Sequence, residues 1–118
     1  MQLPTDVVLH GIKSCDSCRA ALRWLRDHGV AHQFRDLRQD APQRTELVVW
    51  LERLGPELLN RKSSSWRQLP ESLRIDVDAD RTIELLLGNP TLMKRPLLEW
   101  SGGLLLGFDP DLYQRQLR

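Results

Sequence analysis

The chain has 118 residues, of which 17 are basic and 16 acidic, so its formal net charge is +1. A near-neutral charge argues against general binding to nucleic acid or to a membrane surface, because such proteins carry a strong basic excess. No apolar run is long enough to span a bilayer. The length predicts one domain that buries its own hydrophobic core.

The chain holds only two cysteines, Cys15 and Cys18. A secreted disulfide scaffold needs more cysteines, spread along the sequence. The first residues also lack the basic stretch and the long apolar run of a signal peptide. We therefore expect a monomeric, cytoplasmic protein whose cysteines serve local chemistry rather than architecture.

The first forty residues predict two strands joined by a helix. Val7–His10 is a short apolar run that ends at Gly11, which is typical of a buried strand. From Cys15 onward apolar residues recur at helical spacing, and Gly29 is the expected end of that helix. Alternation over 32–37 predicts the second strand. Strands connected in this way lie parallel to each other.

The middle of the chain, residues 41–90, predicts only helices and loops. Asp40, followed closely by a proline, is the expected N-cap of a helix that runs to Leu54. Asp78 or Asp80 is expected to begin a further helix. This stretch is therefore a helical insertion between two parts of a sheet.

The last part of the chain predicts a hairpin and a terminal helix. A Ser-Gly-Gly turn separates the apolar runs 97–100 and 104–107. Asp109 is the expected N-cap of the helix, with Leu112 and Tyr113 on its inner face. The element order is then βαβ, a helical insertion and ββα, which predicts an α/β fold with a mixed sheet.

The two cysteines lie three residues apart and so share one face of the predicted first helix. A thiol reacts as its thiolate, and an ordinary cysteine is mostly protonated at neutral pH. Unpaired N–H groups and a partial positive charge at a helix start favour the thiolate of Cys15. Cys18 is one turn further in, so we expect it to be more buried and less acidic. This asymmetry suits an attacking and a resolving thiol, with core packing as the alternative for Cys18.

A zinc site is another interpretation of the cysteine pair. Such a site needs four ligands, and only His10, His28 and His32 could join the two thiols. These histidines have no recognisable ligand spacing. We therefore predict no metal site.

Several basic residues are candidates for binding an anion beside the cysteines. Lys13 and Arg19 flank the pair and can stabilise negative charge. Arg95 precedes Pro96, a position that forces extended backbone, and X–Pro bonds adopt the cis form at low cost. Arg61 and Arg95 can bind carboxylates or oxyanions with two hydrogen bonds, provided that they approach Cys15.

Five short segments carry a family resemblance. They are GIKSCD at 11–16, LNR at 59–61, SWRQL at 65–69, KRPL at 94–97 and LGF at 106–108. In this order and spacing they resemble the arsenate reductase (ArsC)/Spx family, and within it most closely the proteobacterial YffB-like branch. The likeness extends over nearly the whole chain.

The resemblance implies a thioredoxin-like fold with a helical insertion. Residues 1–118 would form a single domain, with 1–40 and 91–118 as the thioredoxin-like core and 41–90 as the insertion. It also implies that Cys15 is the nucleophile. In such folds a loop with a cis proline, here at Pro96, faces the cysteine helix and exposes backbone to an extended thiol substrate.

The resemblance also implies roles for the arginines. Arg61 and Arg95 match two of the three arginines that surround the substrate oxyanion in arsenate reductases. The third falls at Gly107, and the histidine that stands four residues before the catalytic cysteine falls at Gly11. Because two oxyanion-handling groups are missing, the sequence argues against arsenate reduction.

For function, the YffB-like branch implies glutathione-dependent thiol reduction, with glutathione as co-substrate and no bound cofactor. The predicted catalytic residues are Cys15 and Cys18, and the predicted substrate-binding residues are Lys13, Arg61, Arg95 and Pro96. Spx-type relatives imply an alternative, a redox switch that binds the C-terminal domain of the α-subunit of RNA polymerase. Arsenate reduction is the third hypothesis. Direct binding to nucleic acid or to membranes is not expected.

Overall fold

A computed structural model describes residues 3–118 of the chain. The strands are β1 (Val7–Gly11), β2 (His32–Asp36), β3 (Leu97–Trp100) and β4 (Gly103–Leu106). The α-helices are α1 (Asp16–Asp27), α2 (Arg44–Leu54), α3 (Ser64–Arg67), α4 (Ala79–Gly88) and α5 (Pro110–Leu117). Short 3₁₀ turns lie at Gly55–Leu58, Glu71–Leu73 and Pro90–Leu92. Among these residues, no helix combines the length and apolar character that crossing a membrane requires.

The strands form a mixed sheet in the order β2-β1-β3-β4. β1 runs parallel to β2 and antiparallel to β3, and β4 is antiparallel to β3. In the centre, Leu9 lies opposite Phe34 on one side and Leu98 on the other. The predicted βαβ and ββα parts are therefore confirmed, and this arrangement is the thioredoxin-like fold.

One core lies between the sheet and the helices α1 and α5. Leu9 and Leu25 are fully buried within it, and burial of such a side chain contributes about 2 kcal/mol. The ring of Trp24 on α1 meets that of Tyr113 on α5 edge to face, with centroids 5.5 Å apart. This contact ties the second half of the first helix to the last helix.

The chain divides into two compact units. One contains the residues up to Asp36 together with Arg95–Arg118, and the other is Leu37–Lys94. The insertion thus starts and ends a few residues away from the expected 41–90. Its last residues pair with its own interior, because Lys94 N–H donates to the Leu58 carbonyl and Asn60 N–H to the Leu92 carbonyl, both at 2.8 Å.

The start of α2 differs from the sequence-based expectation. Asp40 is not its N-cap, because the helix begins at Arg44 with Gln43 as the capping residue. Gln43 and Glu46 form a reciprocal capping box, in which the Gln43 N–H donates to Glu46 Oε1 at 2.9 Å. The aspartate and the proline after it misled the prediction because glutamine is a less usual cap. The predicted end at Leu54 is right.

The structure decides which of the two expected aspartates caps α4. Asp78 is the N-cap, and its carboxylate accepts a hydrogen bond of 2.8 Å from the backbone N–H of Arg81. Asp80 lies in the first turn of the helix instead. At the far end of the chain, Asp109 caps α5 as expected.

Candidate active site around Cys15

Cys15 lies where the chain turns from β1 into α1. Residues 12–14 form the turn, and the Cys15 N–H donates to the Ile12 carbonyl at 3.1 Å. Cys15 has extended backbone angles and is the N-cap of α1. Its carbonyl accepts the first helical hydrogen bond, from Arg19 N–H at 3.0 Å. The half-buried thiol therefore stands at the positive end of a twelve-residue helix, as expected.

The surroundings of Cys15 favour its thiolate. Partial burial alone would raise the pKa of the thiol. Hydrogen bonds outweigh this effect and lower the pKa of Cys15 below its ordinary value. The donors, in order of effect, are the Cys18 N–H, the Cys18 thiol, the Arg95 side chain and the Ser17 N–H.

Cys18 has the opposite character. Its side chain is fully buried, and burial is the main reason that its pKa is raised to about 12. The backbone of Ile12 and the charge of Arg95 oppose the rise, whereas the hydrogen bond to Cys15 and the charge of Cys15 add to it. Both cysteines are reduced in the structure. Two thiols one helical turn apart thus differ strongly in acidity.

Arg95 and Pro96 belong to the same site. The Arg95–Pro96 peptide bond is cis. β3 pairs with β1 so that Leu97 lies opposite His10, which brings the residues before Leu97 to the end of β1 where Cys15 follows. Arg95 is half-buried and donates a hydrogen bond to the Cys15 sulfur. The Pro96 carbonyl accepts a hydrogen bond of 2.8 Å from the Gly107 N–H.

The other predicted cations lie in different settings. Lys13 is exposed in the turn before Cys15. Arg19 forms a salt bridge with Asp16, so its charge is offset by a neighbouring carboxylate rather than directed at the thiols.

Arg61 lies in the Leu37–Lys94 unit. It is exposed, and its guanidinium carbon lies 5.2 Å from the centroid of the Trp66 ring. Together with Lys62 and Lys94, it lines a surface cavity of about 400 Å³. The sheet unit brings Cys15, Cys18, Arg95 and Pro96 together, whereas the approach of Arg61 to Cys15 stays a prediction.

Gly11 has a role that the sequence did not reveal. A Cβ atom at this position would lie 2.5 Å from Cys18 Sγ and 3.4 Å from the Phe34 ring. Sulfur and carbon cannot approach so closely without displacement, so the missing side chain makes room for the second thiol. A strand-terminal glycine four residues before the cysteine was the only available signal.

Gly107 is the position at which the resemblance places the third arginine of arsenate reductases. Its φ is +82°, a left-handed value that glycine adopts at little cost. A residue with a side chain would be strained here. Glycine therefore suits the backbone of this loop, in which the Gly107 N–H donates a hydrogen bond to the Pro96 carbonyl.

The histidines lie in separate hydrogen-bonded settings. His10 is buried, with its Nε2 2.9 Å from Glu99 Oε1. His28 and His32 each hydrogen-bond a backbone carbonyl through Nδ1, at 2.8 Å in both cases. Within residues 3–118, no three histidine, cysteine or carboxylate side chains are grouped so that they could hold a metal ion.

Comparison with known proteins places this site in a family. The model of the ArsC family matches residues 10–116. An uncharacterized protein of Haemophilus influenzae is 36% identical over 109 residues, covering 92% of this chain and 96% of that protein. The regulatory protein MgsR of Bacillus subtilis is 29% identical over 108 residues, covering 89% of this chain and 85% of MgsR.

Two further similarities extend over most of the chain. The global transcriptional regulator Spx of Lactiplantibacillus plantarum is 25% identical over 114 residues, covering 94% of this chain and 86% of that protein. The solved structure of the YFFB protein is 40% identical with a TM-score of 0.92, covering 95% of this chain and 99% of that one. On these matches, with the cysteine at the start of α1 and the thioredoxin-like sheet, the chain belongs to the ArsC family.

Proposed function

We propose that the chain is a cytoplasmic thiol–disulfide reductase that takes its electrons from glutathione. Cys15 is the attacking thiol and Cys18 is the resolving thiol. The observation that carries this proposal is the opposite direction of their two pKa shifts. The half-exposed thiol is favoured as a thiolate, and the buried one is held protonated until it is needed.

The proposed reaction has two exchange steps. In the first, the Cys15 thiolate attacks one sulfur of a disulfide R–S–S–R′, a Cys15–S–S–R bond forms, and R′–S⁻ leaves and takes a proton from water. In the second, Cys18 releases its proton to solvent, and its thiolate attacks Cys15 Sγ and expels R–S⁻. The substrate gains the two electrons that the two thiols lose. Two glutathione molecules then reduce the Cys15–Cys18 disulfide and become glutathione disulfide.

The first step itself prepares the second. The charge of Cys15 and its hydrogen bond with Cys18 both raise the pKa of Cys18. Once Cys15 is tied to the substrate sulfur, that charge is gone. Cys18 therefore becomes more acidic when its thiolate is required.

Binding of glutathione, an anionic tripeptide, would use the basic residues. Arg95 holds the Cys15 thiolate in the resting site, and in the mixed disulfide its guanidinium can turn to a glutathione carboxylate. The exposed Lys13 offers further positive charge for the same ligand, and the substrate-binding role of Arg61 stays a prediction from the resemblance. Pro96, next to Arg95, would present its loop to the extended peptide.

Reduction of a small disulfide by glutathione tests the proposal, with oxidised glutathione measured in a coupled assay. We expect turnover by the wild type and none by Cys15→Ser, with Ser17→Ala as a neighbouring control that retains activity. Cys15 should also react with iodoacetamide at neutral pH faster than a free thiol does. Turnover by Cys15→Ser, or alkylation of Cys15 at the rate of an ordinary thiol, contradicts the proposal.

A second candidate function is a redox switch that binds the C-terminal domain of the α-subunit of RNA polymerase. It is supported by the regulators MgsR and Spx, which match most of the chain. The same cysteine pair would then report the redox state instead of turning over. A pull-down with the isolated C-terminal domain, using the oxidised and the reduced chain, distinguishes the two functions. Failure to bind in both states removes this candidate.

Arsenate reduction is the candidate that the site supports least. Gly11 faces Cys18 and cannot supply the histidine of arsenate reductases. Gly107 likewise supplies no charge. We expect no arsenate turnover above the rate of Cys15→Ser in an assay coupled to glutathione and glutaredoxin.

A further inference from the structure

Strand β4 forms one outer edge of the sheet and pairs with β3 alone. Its residues, Gly103–Leu106, include three successive leucines, each half-buried, and neither a charged residue nor a proline. The opposite edge is β2, which carries His32, Arg35 and Asp36. Charged side chains on an outer strand oppose pairing with another chain, whereas an apolar outer strand favours it. The sheet therefore has one protected edge and one unprotected edge.

One hydrogen bond shows which backbone groups of β4 point away from β3. Gly107 N–H donates to the Pro96 carbonyl, and these two residues lie opposite each other, one step beyond the end of the β3–β4 ladder. Along an antiparallel pair, opposite residues that exchange hydrogen bonds alternate with opposite residues that do not. Leu105 therefore bonds to β3, whereas the N–H and C=O groups of Leu104 and Leu106 point outward.

These outward groups have no partner in the described part of the chain. Within residues 3–118, no backbone or side-chain group forms a hydrogen bond with the outward N–H and C=O groups of Leu104 and Leu106. The sheet thus ends in open polar groups on an apolar strand. A strand added from another chain can complete such an edge.

We propose that β4 is a dimerisation edge, along which two copies of the chain pair their β4 strands antiparallel about Leu105. In this register, Leu104 of each copy lies opposite Leu106 of the other, and each such pair exchanges hydrogen bonds through its outward groups. Leu105 lies opposite its own counterpart at a position without hydrogen bonds, where side chains approach most closely. The inference replaces the monomer expected from the sequence, which does not show which strand lies at the edge.

The occupant is a second copy because the edge is complementary to itself. In a symmetric dimer the same residues must match when the strand is reversed. The two outward positions lie on either side of Leu105, so reversal exchanges one with the other. Every side chain along this contact is leucine, so no like charges meet and apolar surface is buried on both faces of the sheet.

The proposed dimer leaves both cysteine sites open. Its two-fold axis stands perpendicular to the sheet, because opposite residues of an antiparallel pair share one face, and it reverses the direction of every strand. Cys15 follows the end of β1, two strands away from β4 in the sheet. The two sites therefore lie at opposite ends of the combined sheet. The dimer is independent of the proposed reductase function, and we expect equal thiol activity per chain in the monomer and the dimer.

Analytical ultracentrifugation of the full chain under reducing conditions, from about 10 µM to about 1 mM, tests the inference. The contact between two short strands is small, so we expect a weak dimer whose fraction rises with concentration. Leu104→Lys and Leu106→Glu each place a charge opposite a leucine of the other copy. Each variant should need at least about tenfold higher concentration to dimerise.

A mixture of the two variants tests the register. In an equimolar mixture of Leu104→Lys and Leu106→Glu, the introduced lysine of one chain lies opposite the introduced glutamate of the other. We therefore expect the mixture to dimerise more strongly than either variant alone.

Gln33→Lys is the matched control, because it adds a positive charge to an exposed position of the opposite edge strand, β2. We expect it to dimerise as the wild type does. Circular dichroism and urea denaturation verify that each variant is folded before it is compared.

A wild-type chain that stays monomeric up to about 1 mM overturns the inference and leaves an extended segment of a different protein as the occupant of the edge. A dimer that is equally strong in Leu104→Lys and Leu106→Glu also overturns it, because its interface then lies elsewhere. A mixture that dimerises no more strongly than the separate variants contradicts the pairing about Leu105.

Discussion

The absence of a side chain at Gly11 leaves room for the sulfur of Cys18. Cys18 is fixed by the buried face of α1, and its sulfur occupies the space that a Cβ of residue 11 would need. The residue before it, His10, points to the other face of the sheet, because side chains alternate along a strand. Gly11 and Cys18 are therefore steric partners, which means that a larger side chain at position 11 must displace the side chain at position 18.

We expect Gly11→Ala to lower the free energy of unfolding by about 1–3 kcal/mol, as overpacking of a buried site does. In a Cys18→Ala background, which removes the clashing sulfur, the same change should cost much less. Urea denaturation of the four proteins of this double-mutant cycle measures the coupling.

Gly88→Ala is the control for Gly11→Ala. Nothing lies within 4 Å of a Cβ at Gly88, and its backbone is helical, so we expect an unchanged or slightly higher stability. Equal cost of Gly11→Ala with and without the Cys18 sulfur would show that the two positions are not steric partners.

Among the elements, local signals predicted most helices and strands, and the exceptions have local causes. The start of α1 at Cys15 and the hairpin before α5 follow from periodicity and turn residues. The start of α2 did not, because Asp40 and the proline after it indicated an earlier start, whereas the helix begins at the capping box of Gln43. Only the structure chose Asp78 over Asp80 for α4.

The α4 cap gives a prediction at this scale. Asp78→Ala should lower the free energy of unfolding by about 1 kcal/mol, because the Arg81 N–H loses its acceptor. Asp78→Asn should be close to wild type, since asparagine caps about as well as aspartate. Thermal or urea denaturation compares the three proteins. An Asp80→Ala variant that is more destabilised than Asp78→Ala would contradict the assignment of the cap.

In the whole molecule, local features of the candidate site can be predicted from the sequence, whereas contacts between distant segments cannot. The lowered pKa of Cys15 was predictable, because the start of a helix is a local feature. The contact with Arg95 is not local, since it depends on the register that sets Leu97 opposite His10. The role of Gly11 is not local either, since it depends on Cys18 of α1 and Phe34 of β2 both lying beside the end of β1.

The ionisable side chains of Cys15, Cys18 and Tyr113 affect how the free energy of unfolding changes with pH. The chain has two cysteines and one tyrosine. The folded state lowers the pKa of Cys15, so stability rises with pH between that lowered value and the ordinary one, 9.0. The folded state raises the pKa of Cys18 to about 12, and that of Tyr113 as well. Above about pH 9 the unfolded chain therefore releases these protons first, and stability falls as pH rises.

We accordingly expect the free energy of unfolding of the reduced chain to fall by a few kcal/mol between about pH 9 and pH 11. Cys18→Ala should have a shallower fall, because it removes the group with the raised pKa. Cys15→Ser should lose the rise below about pH 9 and keep most of the fall above it. Urea denaturation under reducing conditions at several pH values measures the three profiles. If the wild-type and Cys18→Ala profiles run parallel through this range, Cys18 is not held protonated by the fold, and the asymmetry on which the proposed reaction depends is absent.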